Sequence, residues 1–124
     1  MRVPVLVAGL LIASPAAAED PDPWWGRDKA LHFGVSAGLA AGGYAASSLV
    51  LEPRWQRAAT GAGFALTLGA GKELYDATGP GNASLKDFTW DVAGAALGTA
   101  LALLVDVIVS PRPAPTRDAA TATR

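Results

Sequence analysis

Three stretches of this chain, 30–51, 58–71 and 92–105, carry no Asp, Glu, Lys or Arg, and charged residues gather between and around them. Each is too long for a strand and is bounded by turn-forming residues, so the pattern predicts helices over about 28–51, 53–77 and 84–109. The connections are short: EPRWQ near 52–56, and TGPGNA at 78–83, where Gly79, Pro80 and Gly81 stop a helix. Ser84 followed by Asp87 makes a capping-box signature at the start of the third helix. Short connections make antiparallel neighbours. The expected fold is all-α, a small antiparallel bundle of three Gly/Ala-rich helices. A helix on the surface of a soluble protein alternates a polar with an apolar face. The first helix shows no charged face, which favours a bundle embedded in a membrane.

Glycine spacing adds to that reading. Gly34, Gly38 and Gly42 recur every four residues, as do Gly94 and Gly98, and Ala59 with Gly63 makes a third pair. In water each helical Gly costs about 0.8–1.0 kcal/mol relative to Ala. In a bilayer the same spacing lets helix backbones approach closely, and offers faces for a protein partner or a homo-oligomer. Trp24, Trp25, Tyr75 and Trp90 fall near one end of the bundle and Trp55 near the other, as at two membrane interfaces. The alternative is a compact Ala/Gly-packed periplasmic bundle, because the first helix has only seven Leu, Ile, Phe or Val residues.

The two ends of the chain differ from its middle. Arg2, the apolar run VPVLVAGLLIASPAAA and the small residues Ala16, Ala17 and Ala18 read as a signal peptide, 1–18, cut before Glu19. The run holds Pro4 and Pro15 and is shorter than the roughly 20 apolar residues of a membrane span, the alternative assignment. An exposed segment, 19–27, leads into the three-helix domain, 28–109. The stretch 110–124, rich in Pro and Ala, has too little apolar surface to offset ordering and is expected to be a disordered tail.

Composition narrows the partners. Of 124 residues 51% are hydrophobic and only 17% charged, below the usual share of about 25%. The formal net charge of -1 and scattered Lys and Arg leave no basic patch for nucleic acid, so membrane lipid is the expected partner. With no cysteine there is no thiolate chemistry, Cys-bound zinc or lipid-anchored Cys. No signature specifies a cofactor or a metal.

Antiparallel order brings the start of helix one, the end of helix two and the start of helix three to one side. The unusual charges meet there: Asp28, Lys29 and His32; Lys72, Glu73 and Asp76; Lys86, Asp87 and Asp91. The pairs Asp28/His32, Lys72/Asp76 and Asp87/Asp91 are each four apart and share a helix face. A carboxylate beside His32 fixes its tautomer and raises its basicity, as a general base or a metal-bound histidine requires. Paired carboxylates with an imidazole also suit a divalent cation. Against these stand plainer roles: Asp28 and Asp87 as helix caps, Lys72 and Asp76 as a surface ion pair, His32 as a hydrogen-bonded structural residue. Ser36 extends an Asp28, His32, Ser36 stripe, but no nucleophile elbow accompanies it. The opposite end holds Glu52, Arg54, Arg57 and Asp106. Export of the N-terminus then places the polar cluster toward the periplasm.

Three ordered motifs, W-x-G-R-D-K-A-L-H-F beginning at Trp24, G-A-G-K-E-L-Y-D at 69–76 and S-L-K-D-F-T-W-D-V-A-G at 84–94, resemble the YfiM-like family of bacterial envelope lipoproteins of unknown function. The D-K-x-x-H-F element alone is similar to VanZ-like small membrane proteins. The first resemblance covers about residues 24–105 and implies an envelope location and a helical domain, with all nine cluster residues on motif positions. It implies no activity. The chain departs from the lipoprotein pattern, since no cysteine follows the signal segment. Two function classes follow. One is a non-catalytic envelope module whose polar end binds a partner, an ion or a lipid headgroup. The other is a membrane-surface hydrolase, metal-assisted, acting on a lipid or phosphoester.

Overall fold

A computed structural model describes residues 20–113; the expected signal segment, 1–18, and the expected tail beyond residue 113 lie outside the described residues. Three helices make up the fold, α1 (Arg27–Ser47), α2 (Arg54–Thr78) and α3 (Leu85–Val109), with no strand among the described residues. Each packs on the other two, α1 against α3 most extensively.

The helix ends follow from local chemistry. Gly26 precedes α1 at φ 150°, a conformation L side chains rarely adopt, and no side chain caps this helix. Asp28 is therefore not the cap expected of it; it lies in the first turn and is exposed. α1 also ends at Ser47, four residues before the expected 51. The Ser47 hydroxyl donates to the Tyr44 carbonyl (2.8 Å) and that of Ser48 to the Ala45 carbonyl (2.6 Å). Such back-bonding competes with the helical ladder, and the chain turns toward Pro53. At α3 the cap is as expected: the Ser84 hydroxyl accepts from the Asp87 N–H at 3.1 Å. The box is closed differently, because the Ser84 N–H goes to Glu73 Oε2 of α2 (2.5 Å). The Asp87 carboxylate is thus free for other partners.

The interior is built of small and polar residues. Ala40, Ala65 and Ala95 sit at its centre, 0–1% exposed. A Cβ on Gly94 would stand 2.1 Å from the Phe33 carbonyl oxygen, and one on Gly98 2.1 Å from that of Ala37. α3 therefore lies with its backbone against α1, a separation only Gly allows. Gly61 of α2 approaches Ala40 and Tyr44 of α1 in the same way. The other expected contact glycines behave differently: a Cβ on Gly34, Gly38, Gly42 or Gly63 would meet nothing within 4 Å. They face away from the bundle, because the buried stripe of α1 runs through Lys29, His32, Ser36, Ala40, Tyr44 and Ser47 instead.

That stripe is polar at both ends, while large apolar residues such as Leu31, Val35, Phe64, Leu101, Leu104 and Ile108 are exposed. Among the described residues α3 alone is long and apolar enough, by length and composition, to cross a membrane.

The packing makes a direct prediction. Gly98→Ala forces the two backbones apart and lowers stability by about 1–3 kcal/mol, the usual range for overpacking, whereas Gly38→Ala is neutral or raises it by up to about 1 kcal/mol. Thermal unfolding followed by circular dichroism, on both variants in one detergent, separates these outcomes.

Candidate functional site

Helix order brings the polar ends of all three helices together, and within that end the nine sequence-selected residues divide sharply. Lys29, His32, Asp87 and Asp91 are buried at 3–7% exposure. Glu73 joins them from α2, its side chain 13% exposed. Lys72 and Asp76 instead make an ion pair of 2.7 Å on the outer face of α2, with the lysine half exposed. Lys86 lies at the rim and donates to Asp20 Oδ2 (2.8 Å) and to the Asp22 carbonyl. Asp28, 67% exposed, reaches only to 4.0 Å from His32 Nε2.

His32 therefore takes its orienting carboxylates from α3 rather than from Asp28. Its Nδ1 stands 3.0 Å from Asp91 Oδ1 and its Nε2 3.4 Å from Asp87 Oδ2. The i,i+4 spacing of Asp87 and Asp91 matches the width of the ring, so one helix face offers a carboxylate to each nitrogen. Both carboxylates are held in turn. Ser36, one turn after His32 on α1, donates its hydroxyl to Asp91 Oδ1 (2.7 Å). Ser36 serves the aspartate, not the histidine, which removes the triad-like stripe from consideration. Lys29 Nζ donates to Asp87 Oδ1.

The N-terminal segment completes the site. Lys29 Nζ also donates to Asp22 Oδ1, and the Ser84 hydroxyl donates to Asp22 Oδ2 at 2.6 Å. The Trp90 indole N–H donates to the Trp24 carbonyl (2.9 Å), and Trp25 meets Trp90 edge-on at 5.1 Å between ring centroids. Residues 20–26 thus form a strap across the starts of α1 and α3, although most of them remain exposed. Asp20 and Asp22 were not singled out by sequence, and Trp24 was noted only as an interface aromatic and a motif residue. The available signal was D-P-D-P, where two acidic residues alternate with proline ahead of a Lys-bearing helix. The hydrogen bonds from Lys29 and then Ser84 hold the Asp22 carboxyl below its ordinary value of 3.8. Lys86 does the same for Asp20.

Beside this core opens a cleft of about 350 Å³, lined by His32, Ser36, Asp91 and Lys72 together with Leu31, Val35, Leu39 and Leu68. Of its polar lining residues His32, Ser36 and Asp91 are buried, whereas Asp28 and Lys72 are exposed. Two sets of side chains are close enough to share one cation: Asp28, His32 and Asp87, and His32, Glu73 and Asp91.

A second polar knot lies at the opposite end. Asp106 Oδ2 accepts from Tyr44 Oη (2.7 Å), Arg57 Nη1 (3.0 Å) and Arg54 Nε (3.2 Å), so one carboxylate ties all three helices. Sequence placed these charges at this end but not on one atom. Comparison with family models, curated proteins and solved structures yields no match for this chain.

Two outcomes test the site's construction. Lys29→Met leaves Asp87 buried without its cation and lowers stability by about 3 kcal/mol; thermal unfolding measures it. The strap depends on acid in a defined direction. Because the Asp20 and Asp22 carboxyls titrate below their unfolded value, their contribution is complete above about pH 4 and is lost only as pH falls through the lower folded value. The Trp90 indole N–H resonance therefore keeps its bonded position down to about pH 4 in the parent chain, and has already moved at neutral pH in Asp22→Asn.

Proposed function

We propose that this chain is a non-catalytic, membrane-embedded module of the bacterial cell envelope, exported so that its polar end faces the periplasm and binds there. The observation that carries this reading is the inverted distribution of side chains: Lys29, His32, Asp87 and Asp91 are inside, while Leu, Val, Phe and Ile cover the outside. In water both halves of that arrangement are unfavourable, since apolar area stays wet and buried ions lose solvation. In lipid the outer half costs nothing, and buried polar groups find their partners within the bundle.

Helix length supports the same reading. At 21 and 25 residues α1 and α2 reach about 31 and 37 Å at 1.5 Å per residue, enough for a hydrocarbon core of about 30 Å. α1 is less apolar than α3 because it carries Lys29, His32, Ser36, Tyr44 and Ser47 on its buried stripe, and α2 because Arg54, Arg57, Lys72, Glu73 and Asp76 lie toward its two ends. Trp24, Trp25 and Tyr75 are exposed at the polar end and Trp55 at the other, at the levels where aromatic residues meet lipid headgroups. The resemblance to the YfiM-like family supports the envelope location. Ser36, one turn after His32 on α1, is committed to Asp91, and Lys29 is committed to two carboxylates, so neither is free to act as a side-chain nucleophile, which favours binding.

The absence of native cysteine makes the test direct. In alkaline carbonate the protein stays in the membrane pellet. A single cysteine at Asn82 reacts with a membrane-impermeant maleimide in cells with a permeabilised outer membrane, and one at Glu52 reacts only after the inner membrane is also opened. Complete release of folded protein by carbonate would overturn the embedding, and the reverse labelling order would overturn the orientation.

A further inference from the structure

We infer that His32, Glu73 and Asp91 form a binding site for one first-row divalent metal ion. The inference deepens the reading of the polar end as the binding end, and rests on it, by naming what is bound there. One ligand-capable atom from each of the three residues lies within 4.8 Å of the others. Bonds of about 2.0–2.2 Å to such a metal place its ligands roughly 3–3.5 Å apart, so side-chain adjustments suffice to close the set.

The independent observation is where hydrogen bonding fails. Asp91 Oδ2 and Glu73 Oε1 are buried and have no hydrogen-bond partner among the described residues. A buried carboxylate oxygen left unpaired is costly, and such groups call for an explanation. Both belong to this one set of three. Asp91 is 3% exposed, so solvent does not satisfy it. Its carboxylate lies against the α2 backbone at Gly69, where a Cβ would come within 2.6 Å of Oδ2. Gly69 is one turn before Glu73, so the missing side chain is what admits Asp91 to the face that Glu73 occupies.

Charge points to the same place. Asp20, Asp22, Asp28, Glu73, Asp76, Asp87 and Asp91 gather at this end against Arg27, Lys29, Lys72 and Lys86. Lys29 is bonded to Asp22 and Asp87, Lys86 to Asp20 and Lys72 to Asp76. Lys72 Nζ stands 3.6 Å from Glu73 Oε1, outside hydrogen-bond range. Asp28, 3.6 Å from Lys29, is exposed to solvent, so the largely buried carboxylates without a hydrogen-bonded cation are Glu73 and Asp91, the two residues with orphaned oxygens. A dication supplies the missing charge at that point.

His32 fits as the third ligand. Asp87 Oδ2 faces Nε2, and an Nε2–H directed at it leaves the Nδ1 lone pair on the Asp91 side. A carboxylate behind a metal-bound imidazole is the usual orienting arrangement, and here Lys29 fixes that carboxylate in turn. One imidazole with two carboxylates suits zinc, manganese or iron(II) better than calcium or magnesium. The adjoining cleft reaches His32 and Asp91, so further coordination positions open to solvent or to a ligand.

The rival account has no metal: a protonated His32 bridging Asp87 and Asp91. The full chain in detergent, stripped with chelator, is titrated with Co²⁺ and followed by its visible absorption, with Zn²⁺ as competitor. One saturable equivalent, displaced by Zn²⁺, is expected. Glu73→Gln keeps an acceptor for the Ser84 N–H, so it folds while losing the ligand charge, and it loses Co²⁺ binding; Asp91→Asn does the same. Asp87→Asn weakens binding about 10–100-fold, and Glu52→Gln, at the opposite end of the bundle, leaves it unchanged. Nitrogen-15 shifts of the His32 ring report one unprotonated nitrogen that moves on Zn²⁺ addition. Absence of saturable binding by folded parent protein, full binding in Glu73→Gln and Asp91→Asn, or a ring protonated on both nitrogens throughout would overturn the site. Carbonate extraction of the cell membranes, before detergent is added, reads the membrane proposal separately: parent protein that stays in the pellet but does not bind Co²⁺ once purified defeats the metal site alone, and protein that is released yet binds Co²⁺ defeats the embedding alone.

Discussion

The backbone of α3 lies directly on that of α1 where Gly94 and Gly98 meet the carbonyls of Phe33 and Ala37, and the placement of the polar groups buried between these two helices depends on this contact. With helices so close, short side chains reach across: Ser36 touches Asp91, and the His32 ring fits between Asp87 and Asp91. A wider separation would leave these groups bridged by water or unpaired. The alanines at 40, 65 and 95 extend the same tight spacing to α2. Because small and polar residues occupy the seam, large apolar side chains have little interior to fill and are displaced outward. The polar interior and the apolar exterior are thus two results of one packing choice.

Buried charge in such a bundle is tolerable only if it is closely matched, and the matching is uneven. Lys29 is enclosed between Asp22 and Asp87, and the strap of residues 20–26 supplies one of those carboxylates from outside the helices. Asp91 and Glu73 receive only neutral donors or the histidine. The polar end therefore has a saturated half, made by Lys29 and the strap, and an unsaturated half facing the cleft. This asymmetry supports the proposed division of labour, with one half holding the helices together and the other available to a ligand.

The number, order and type of helices were legible in the charge-free stretches, because long apolar runs broken by Gly and Pro leave few alternatives. The convergence of charges followed from antiparallel order alone. What stayed hidden was orientation about each helix axis. The four-residue glycine repeat of α1 suggested its contact face, yet His32, Ser36, Tyr44 and Ser47, at spacings compatible with one face, mark the stripe that is actually buried. In a bundle with polar groups inside, the usual association of small residues with the interface competes with the need to pair hydroxyls and ions, and here pairing prevails. The same need explains Asp28, which was chosen for its spacing from His32 but points to the surface while α3 supplies the nearer oxygens. The strap was missed because a proline-spaced acidic segment reads as linker until Lys29 and Ser84 are placed opposite it.

The middle of the bundle has a further consequence. Between the His32 cluster and the Tyr44–Asp106 knot the seam is lined by Ala40, Ala65 and Ala95, and the Thr99 hydroxyl near Gly98 has no hydrogen-bond partner. The described residues therefore provide no continuous proton wire from one polar end to the other. Ala40 stands two turns of α1 beyond His32, about 12 Å at 1.5 Å per residue, so an apolar layer separates the imidazole from the ion pairs around Asp106.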